Sequence, residues 1–317
     1  MCDVKIFVSH RIGVDSALPD CKAYIPVLCG TASDKSNAGS IIGDNTGDNI
    51  SDKKSIYGEF TVQYWAWKNT ESEYVGLCHY RRYFSFAERR FKAKKYDSMI
   101  HAPALCSGTV KRFCIEEYDK ILKTVKSVDA IIPTPVNVKQ LPTENGIRDT
   151  VREMWDAYTE LYKDGKSFSE ILLEYIERLA PQYFAAATDY LNGEIHHGFN
   201  CYIMKRELFC EMCEFEFSVM KSFEEDCRSD KFSLKERSVG YLGEALNGIY
   251  IHYLLTVKNV SYKELQLVFF RDTKKCEGTP VKQYIKFYVS NIFDTLFSFF
   301  FPRGSKRRKK LKKLLKR

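Results

Sequence analysis

The sequence predicts an α/β protein, on three observations. Short apolar, β-branched runs end abruptly in polar or charged residues. Amphipathic helical stretches stand between those runs, and a glycine- and aspartate-rich loop precedes one helix that feeds directly into a strand. Strands of period two alternating with helices of period 3.6 are the pattern of a sheet covered by helices.

The elements follow in order. "VKIFVSH" from residue 4 reads as the opening strand and "YIPVLCG" from residue 24 as the next. Residues 31–55 are rich in Gly, Asn, Asp and Ser, so a long loop is expected there; such loops in compact domains usually serve function. Ile56, Phe60, Tyr64 and Trp67 recur at helical spacing, with Ser51 or Asp52 as the N-cap. That helix delivers the chain into the strand "EYVGLCHY". An amphipathic helix from residue 118 leads to the strand "DAIIPT", and residues 148–192 read as mainly helical. A strand over 200–204, helices over 206–222 and 236–256, and a last strand "LQLVFF" from residue 265 complete the body.

Composition narrows the class of function. The chain has 317 residues and a net charge of +8, but residues 303–317 hold ten Lys or Arg and no acid. The other 302 residues carry 39 basic and 41 acidic side chains, a balance of −2. A near-neutral body argues against a nucleic-acid partner and leaves a basic tail to be explained. Eleven cysteines, an odd number scattered among apolar positions, do not form a disulfide framework. "MCDVKIFVSHR" lacks the basic and apolar regions of a signal peptide, so a cytoplasmic location is expected. Cys210 and Cys213 form a CxxC with no second ligand pair at zinc spacing, and no metal site is expected.

The C-terminal stretch differs in kind. "YIKFYVSNIFDTLFSFFFP", residues 284–302, is aromatic and interrupted by Lys286 and Asp294, too short a clean run to span a bilayer. An apolar helix followed by ten cations suits the surface of an anionic membrane. Residues 1–280 are therefore expected to form one domain, and 281–317 a membrane-associating tail.

The chemistry concentrates where the "EYVGLCHY" strand ends. His79, Arg81 and Arg82 stand within four residues. A guanidinium is planar, permanently charged and matched to phosphate oxygens, so these residues read as a diphosphate clamp at a strand end, or else as structural partners of Asp48, Asp52 or Glu59. The loop "GDNTGDNIS" supplies Asp44, Asn45, Asn49 and Ser51, with Lys53 just beyond, as a second polar element leading to that strand. On the 236–256 helix, Glu244 lies two turns after Arg237, which places both on one face and would let Arg237 hold the carboxylate or a phosphate.

The segment "GDNTGDNISDKKSIYGEFTVQYWAWKNTESEYVGLCHYRRYF" resembles the signature of bacterial polysaccharide glycosyltransferases carrying domain of unknown function 4422. The likeness extends to "IFVSHR", "YIPVLCG", "NCYIMKRELF" and "RSVGYLGEALNGIYI", and is weaker over 137–150 and beyond about 280. It implies a GT-A-like fold, a mixed central sheet flanked by helices. It also implies a nucleotide-sugar donor, a UDP-sugar for example, and in some relatives inverting transfer of galactofuranose. The acceptor it implies is a lipid-linked saccharide of capsule, exopolysaccharide or O-antigen synthesis. Under that resemblance Asp44, Asn45, Asn49, Ser51, Lys53, His79, Arg81, Arg82 and Arg237 are expected on the donor side, Glu244 is the candidate general base with Asp48 the alternative, and His197 and Asn200 are expected on the acceptor side. Where many GT-A proteins carry an Asp-x-Asp metal motif, this chain has His79-Tyr80-Arg81-Arg82, so the expectation is a cationic cluster in place of a divalent metal. A non-catalytic nucleotide-sugar or saccharide-binding protein of an assembly complex is the other reading the sequence leaves open.

Overall fold

A computed structural model describes residues 3–14, 16–32, 41–143, 146–158, 166–228, 237–274, 281–302 and 305–315. The expected domain boundary at residue 280 and part of the 31–55 loop lie outside the described residues.

The strands are β1 (Val4–His10), β2 (Tyr24–Leu28), β3 (Ile42–Gly43), β4 (Tyr74–His79), β5 (Arg82–Phe84), β6 (Ile100–Ala104), β7 (Ala130–Pro133), β8 (Val136–Asn137), β9 (Ile195–His196), β10 (Tyr202–Lys205), β11 (Tyr262–Leu265) and β12 (Leu267–Asp272). The helices are α1 (Lys54–Tyr57), α2 (Phe60–Asn69), α3 (Ser107–Arg112), α4 (Tyr118–Lys126), α5 (Val151–Tyr158), α6 (Phe168–Leu179), α7 (Phe184–Asn192), α8 (Arg206–Arg228), α9 (Ser238–Thr256), α10 (Val281–Phe300) and α11 (Lys306–Leu315).

The main sheet runs β11-β7-β10-β4-β1-β2-β3. β1 pairs in parallel with both β2 and β4, whereas β10 is antiparallel to β4 and β7. β5, β12 and β6 form an extension joined through β4. The expected mixed α/β architecture is the one observed. Side chains alternate across the strands, so two cores form. Phe7, Val75 and Leu77 face a large core with α2, α6, α8 and α9. Ile6, Val8 and Cys78 face a second core with β5, β6, β12 and α4.

One expected helix is broken. The chain forms a 3-10 turn over Ser51–Lys53, then the single turn α1, and starts again at α2. Gly58 makes the break at φ 60°, ψ −132°, a conformation open mainly to glycine. Ser51 and Asp52 do not cap a helix, because the Ser51 hydroxyl is committed to Asp44. The strand over 200–204 begins two residues later than expected, after a turn in which Phe199 and Asn200 are both left-handed, at φ 78° and 45°.

The expected C-terminal helix is present as α10. It packs on β6, and Phe287 is buried. Ile285, Tyr288, Ile292, Phe293, Leu296, Phe299 and Phe300 remain exposed, Phe299 by 80%. Arg308 of α11 folds back on this helix, 3.4 Å from Asp294 and 3.2 Å from the Ser298 hydroxyl. Among the described residues no helix is long and apolar enough to cross a membrane.

Candidate active site

A cleft of about 570 Å³ opens at the carboxyl ends of β1, β2 and β4. Parallel strands end together there, which is where open α/β sheets hold ligands. Ser9, His10 and Arg11 line it from β1, Cys29 from β2, and His79, Tyr80 and Arg81 from β4. Lys54, Ser55, Gly58 and Glu59 close one side, and Arg237 reaches in from the start of α9. Among the described residues, four permanent cations and two imidazoles therefore face a single carboxylate.

The strands set these side chains. Ser9 and His79 are register partners on β1 and β4, so both strands deliver their polar ends to one place. The Arg81 amide donates to His79 Nδ1 at 3.3 Å, which leaves the proton of the neutral ring on Nε2. Burial, reinforced by Arg82, Arg81 and Arg237, holds the His79 pKa down at about 3. The ring is thus a neutral hydrogen-bonding group at physiological pH, and the charge of the site is carried by guanidinium and ammonium groups. Arg81 lies 5.2 Å from the Tyr80 ring centroid, which supports its planar head.

Arg237 takes a left-handed backbone, φ 63°, immediately before α9. Its amide donates to the Ser55 carbonyl at 2.9 Å. The expected helix face shared by Arg237 and Glu244 is thereby corrected: Arg237 precedes the helix, and its side chain pairs with Glu59 at 3.2 Å. Glu244 is one turn after Gly240, where an added Cβ would meet the Tyr57 carbonyl, and one turn before Gly248, where an added Cβ would meet the Tyr190 hydroxyl and the His197 carbonyl. It therefore points between α1 and the 196–200 turn. Desolvation, then the nearby Glu59, push its pKa up to about 7, against the pull of Arg82 and Arg237. A carboxyl poised near neutrality beside cations is suited to proton transfer.

Arg82 sits behind the cleft lining. Its Cζ lies 5.5 Å from the Phe199 ring centroid, and its Nε is buried with no hydrogen-bond partner. Asn200, 4% exposed, has neither amide atom partnered, and the buried His197 Nδ1 is likewise without a partner. His197 is neutral, its pKa pushed down to about 4 by burial and by His252. Buried polar groups without partners cost free energy and call for an explanation; a left-handed Phe199 beside them is strained as well.

The aspartate-rich loop is the main correction. Asp44 is fully buried and accepts from the Gly30 and Thr31 amides at 2.8–3.1 Å and from the Thr31, Ser51 and Thr61 hydroxyls. It builds the loop rather than lining the cleft. Asn49 bonds the Gly47 carbonyl and the Ser51 amide. Asn45 presses on Gly43 from an exposed position. Lys53 pairs with the buried Glu224 at 2.9 Å. Asp48 is exposed, 3.2 Å from the Tyr64 hydroxyl, and the loop around it is stitched to Asn69 and Trp65 of α2. None of Asp44, Asn45, Asp48, Asn49, Ser51 or Lys53 lines the cleft. Short polar side chains that bind their own backbone look, in sequence, like those that bind a ligand.

Arg11, Lys54 and Glu59 were not assigned from the sequence. Their signal was present: Arg11 follows a strand end, as Arg81 does, and Lys54 and Glu59 flank the helix-breaking Gly58.

The mixed α/β sheet thus carries a cationic cleft at its carboxyl edge. The chain matches the family described as Domain of unknown function (DUF4422) over residues 5–268, and it belongs to that family. Its structure is similar to the apo structure of the WbbM bifunctional glycosyltransferase, with a TM-score of 0.73 and 27% sequence identity. The match covers 88% of this chain and 47% of the other, so the chain spans about half the length of the solved structure it resembles. A comparison with curated proteins found no match.

Proposed function

We propose that this protein is a glycosyltransferase that moves a sugar from a nucleotide-diphosphate donor, a UDP-sugar, to a lipid-linked saccharide at the inner face of the cell membrane. The observation that carries this reading is the charge of the cleft: among the described residues that line it, Arg11, Lys54, Arg81 and Arg237 stand against Glu59. The similarity to WbbM, a bifunctional glycosyltransferase, supports it.

In the proposed reaction the donor diphosphate lies along Arg81, Arg237 and Lys54, with His79 donating from Nε2. As the bond between the sugar C1 and the phosphate oxygen breaks, its electron pair stays on the diphosphate, where the fixed cations stabilise it. The acceptor hydroxyl attacks C1 from the opposite face, its proton passes to the Glu244 carboxylate, and the new glycosidic bond forms with inversion. Asn200 and His197 offer unpartnered polar atoms to sugar hydroxyls, and Arg82 holds Glu244 and the turn at Phe199 in place. Among the described residues the one carboxylate lining the cleft, Glu59, is already paired with Arg237, so this set does not fit a divalent metal. No step is routed through one.

The exposed apolar face of α10 and the basic α11 are proposed to rest on anionic lipid. The test of the transferase reading is incubation of the purified chain with a panel of nucleotide sugars, reading release of nucleoside diphosphate. Release that depends on an acceptor and vanishes in Glu244→Gln supports it. Tight nucleotide binding without release under any acceptor would instead assign a binding role.

A further inference from the structure

A second hollow, of about 400 Å³, lies along β11 and α4 and is separate from the cleft. Five cations line it: Arg89 and Arg90 from the loop after β5, Lys120 and Lys123 from α4, and Lys263 from β11. Two carboxylates, Glu88 and Glu264, line it as well, and Lys120 stands 3.9 Å from both Glu88 and Glu117. The remaining excess of positive charge favours an anionic occupant. A second observation is independent of charge. Ser85 lines the hollow, is 4% exposed, and its hydroxyl has no hydrogen-bond partner. The surrounding backbone is fixed, not loose: the Gln266 amide pairs both ways with the Phe91 backbone at 2.7 Å, and Arg90 reaches the Thr134 hydroxyl at 3.2 Å.

The hollow is also tied to the membrane-facing helix. Its lip joins the end of α3 through the Phe86 amide and the Phe113 carbonyl at 2.9 Å. The start of α3 meets α10 through Cys106 and the Tyr284 hydroxyl, 3.8 Å apart. Six helical residues span about 9 Å, so the hollow lies close to the surface proposed to rest on lipid.

We propose that this hollow is a second diphosphate site, and that it takes the diphosphate of the lipid-linked acceptor while the cleft takes that of the donor. The proposal rests on the transferase reading for the identity of the acceptor, but not for the existence of the site. Two anionic groups held on two separate basic surfaces let the enzyme grip donor and acceptor at once without forcing their charges together.

The test is calorimetric titration of the full chain with farnesyl diphosphate in saturating UDP. Binding at one equivalent is expected, with UDP undisplaced. Lys123→Glu with Lys263→Glu should weaken it at least tenfold and leave UDP affinity unchanged. Ser85→Ala, which removes no existing bond, should weaken it by about three- to tenfold. One-for-one displacement by UDP, or wild-type binding in both variants, overturns the site. Inorganic pyrophosphate binding as tightly as the prenyl diphosphate overturns the lipid assignment, as does full competition by phosphatidylglycerol vesicles. Because the readout is binding alone, absence of sugar transfer in the nucleotide-sugar panel leaves these outcomes intact.

Discussion

The Arg237 guanidinium lies 3.2 Å from the Glu59 carboxylate across the cleft. This pair joins the two elements interrupted around it, the broken helix at Gly58 and the start of α9. Among the described residues it sets the one carboxylate of the cleft lining against a cation, which leaves Arg11, Lys54 and Arg81 without a carboxylate partner in the lining. Under the proposed function, removing Arg237 would also free Glu59 to repel the donor phosphate.

Arg81→Ala and Arg237→Ala are each expected to weaken UDP binding. Loss of a charge-assisted contact costs about 1.5–3 kcal/mol, roughly ten- to a hundred-fold in Kd. Calorimetry giving wild-type affinity for both variants would remove the diphosphate clamp.

Glu244 governs the expected pH profile. With its pKa raised to about 7, the carboxylate form that accepts the proton grows as pH rises, so transfer should increase through pH 6–8 and level off above. The same shift has a stability sign. Between the unfolded value near 4.5 and about 7 the folded state binds more protons, so stability falls as pH rises through that window. Glu244→Gln should therefore gain Tm relative to wild type at pH 8 and not at pH 4, while abolishing transfer and retaining UDP. Equal Tm differences at both pH values would contradict the shifted carboxyl.

Asp44 should behave as a structural residue. Asp44→Ala strands five buried donors, each costing about 1–3 kcal/mol if left unmade. Allowing for relaxation, a loss on the order of 3–5 kcal/mol in denaturant unfolding is expected, with UDP affinity within twofold of wild type while the protein is folded. Intact stability with lost UDP affinity would return this residue to the donor site.

Chelation should leave transfer unchanged, since the cleft offers cations where a metal would need carboxylates. Loss of activity in EDTA that manganese restores is the contrary result.

Membrane attachment should depend on α10. Phe293→Asp with Phe299→Asp alters exposed positions only and should abolish co-sedimentation with anionic vesicles. Salt should weaken the wild-type interaction, because the Debye length falls to about 3 Å at 1 M. Deleting the helix altogether is the poorer test, since Tyr284 and Phe287 pack against the body.

Much of this architecture was legible from period and punctuation. β1, β2, β4 and β7 are apolar runs with clear ends, and each fell where expected. β5, β6 and β11 did not stand out, because Tyr83 and Phe84 follow charged residues, Pro103 interrupts β6, and β11 carries the charged pair Lys263 and Glu264 in its middle. His79 and Arg81, singled out in the sequence at the end of β4, do line the cleft, since a strand end fixes where its side chains emerge; Arg237 lines it too, from the start of α9. The glycine-aspartate loop was not. Whether Asp44 turns toward solvent or toward the Gly30 amide is decided by a strand packed against it, and that is not written in the loop itself.

The place of β10 in the sheet has a consequence for synthesis. β4 finds its partner on one side in β1, early in the chain, but its other neighbour is β10, more than 120 residues later. β7 likewise waits for β10 and β11. Until residue 205 has left the ribosome, two apolar strands stand with open edges, and such edges recruit other chains. Pairing across so long a separation also slows the final closure of the sheet. N-terminal fragments ending before β10 should therefore aggregate during translation, and yield of the full chain should rise with slower synthesis or with chaperones that shield nascent strands.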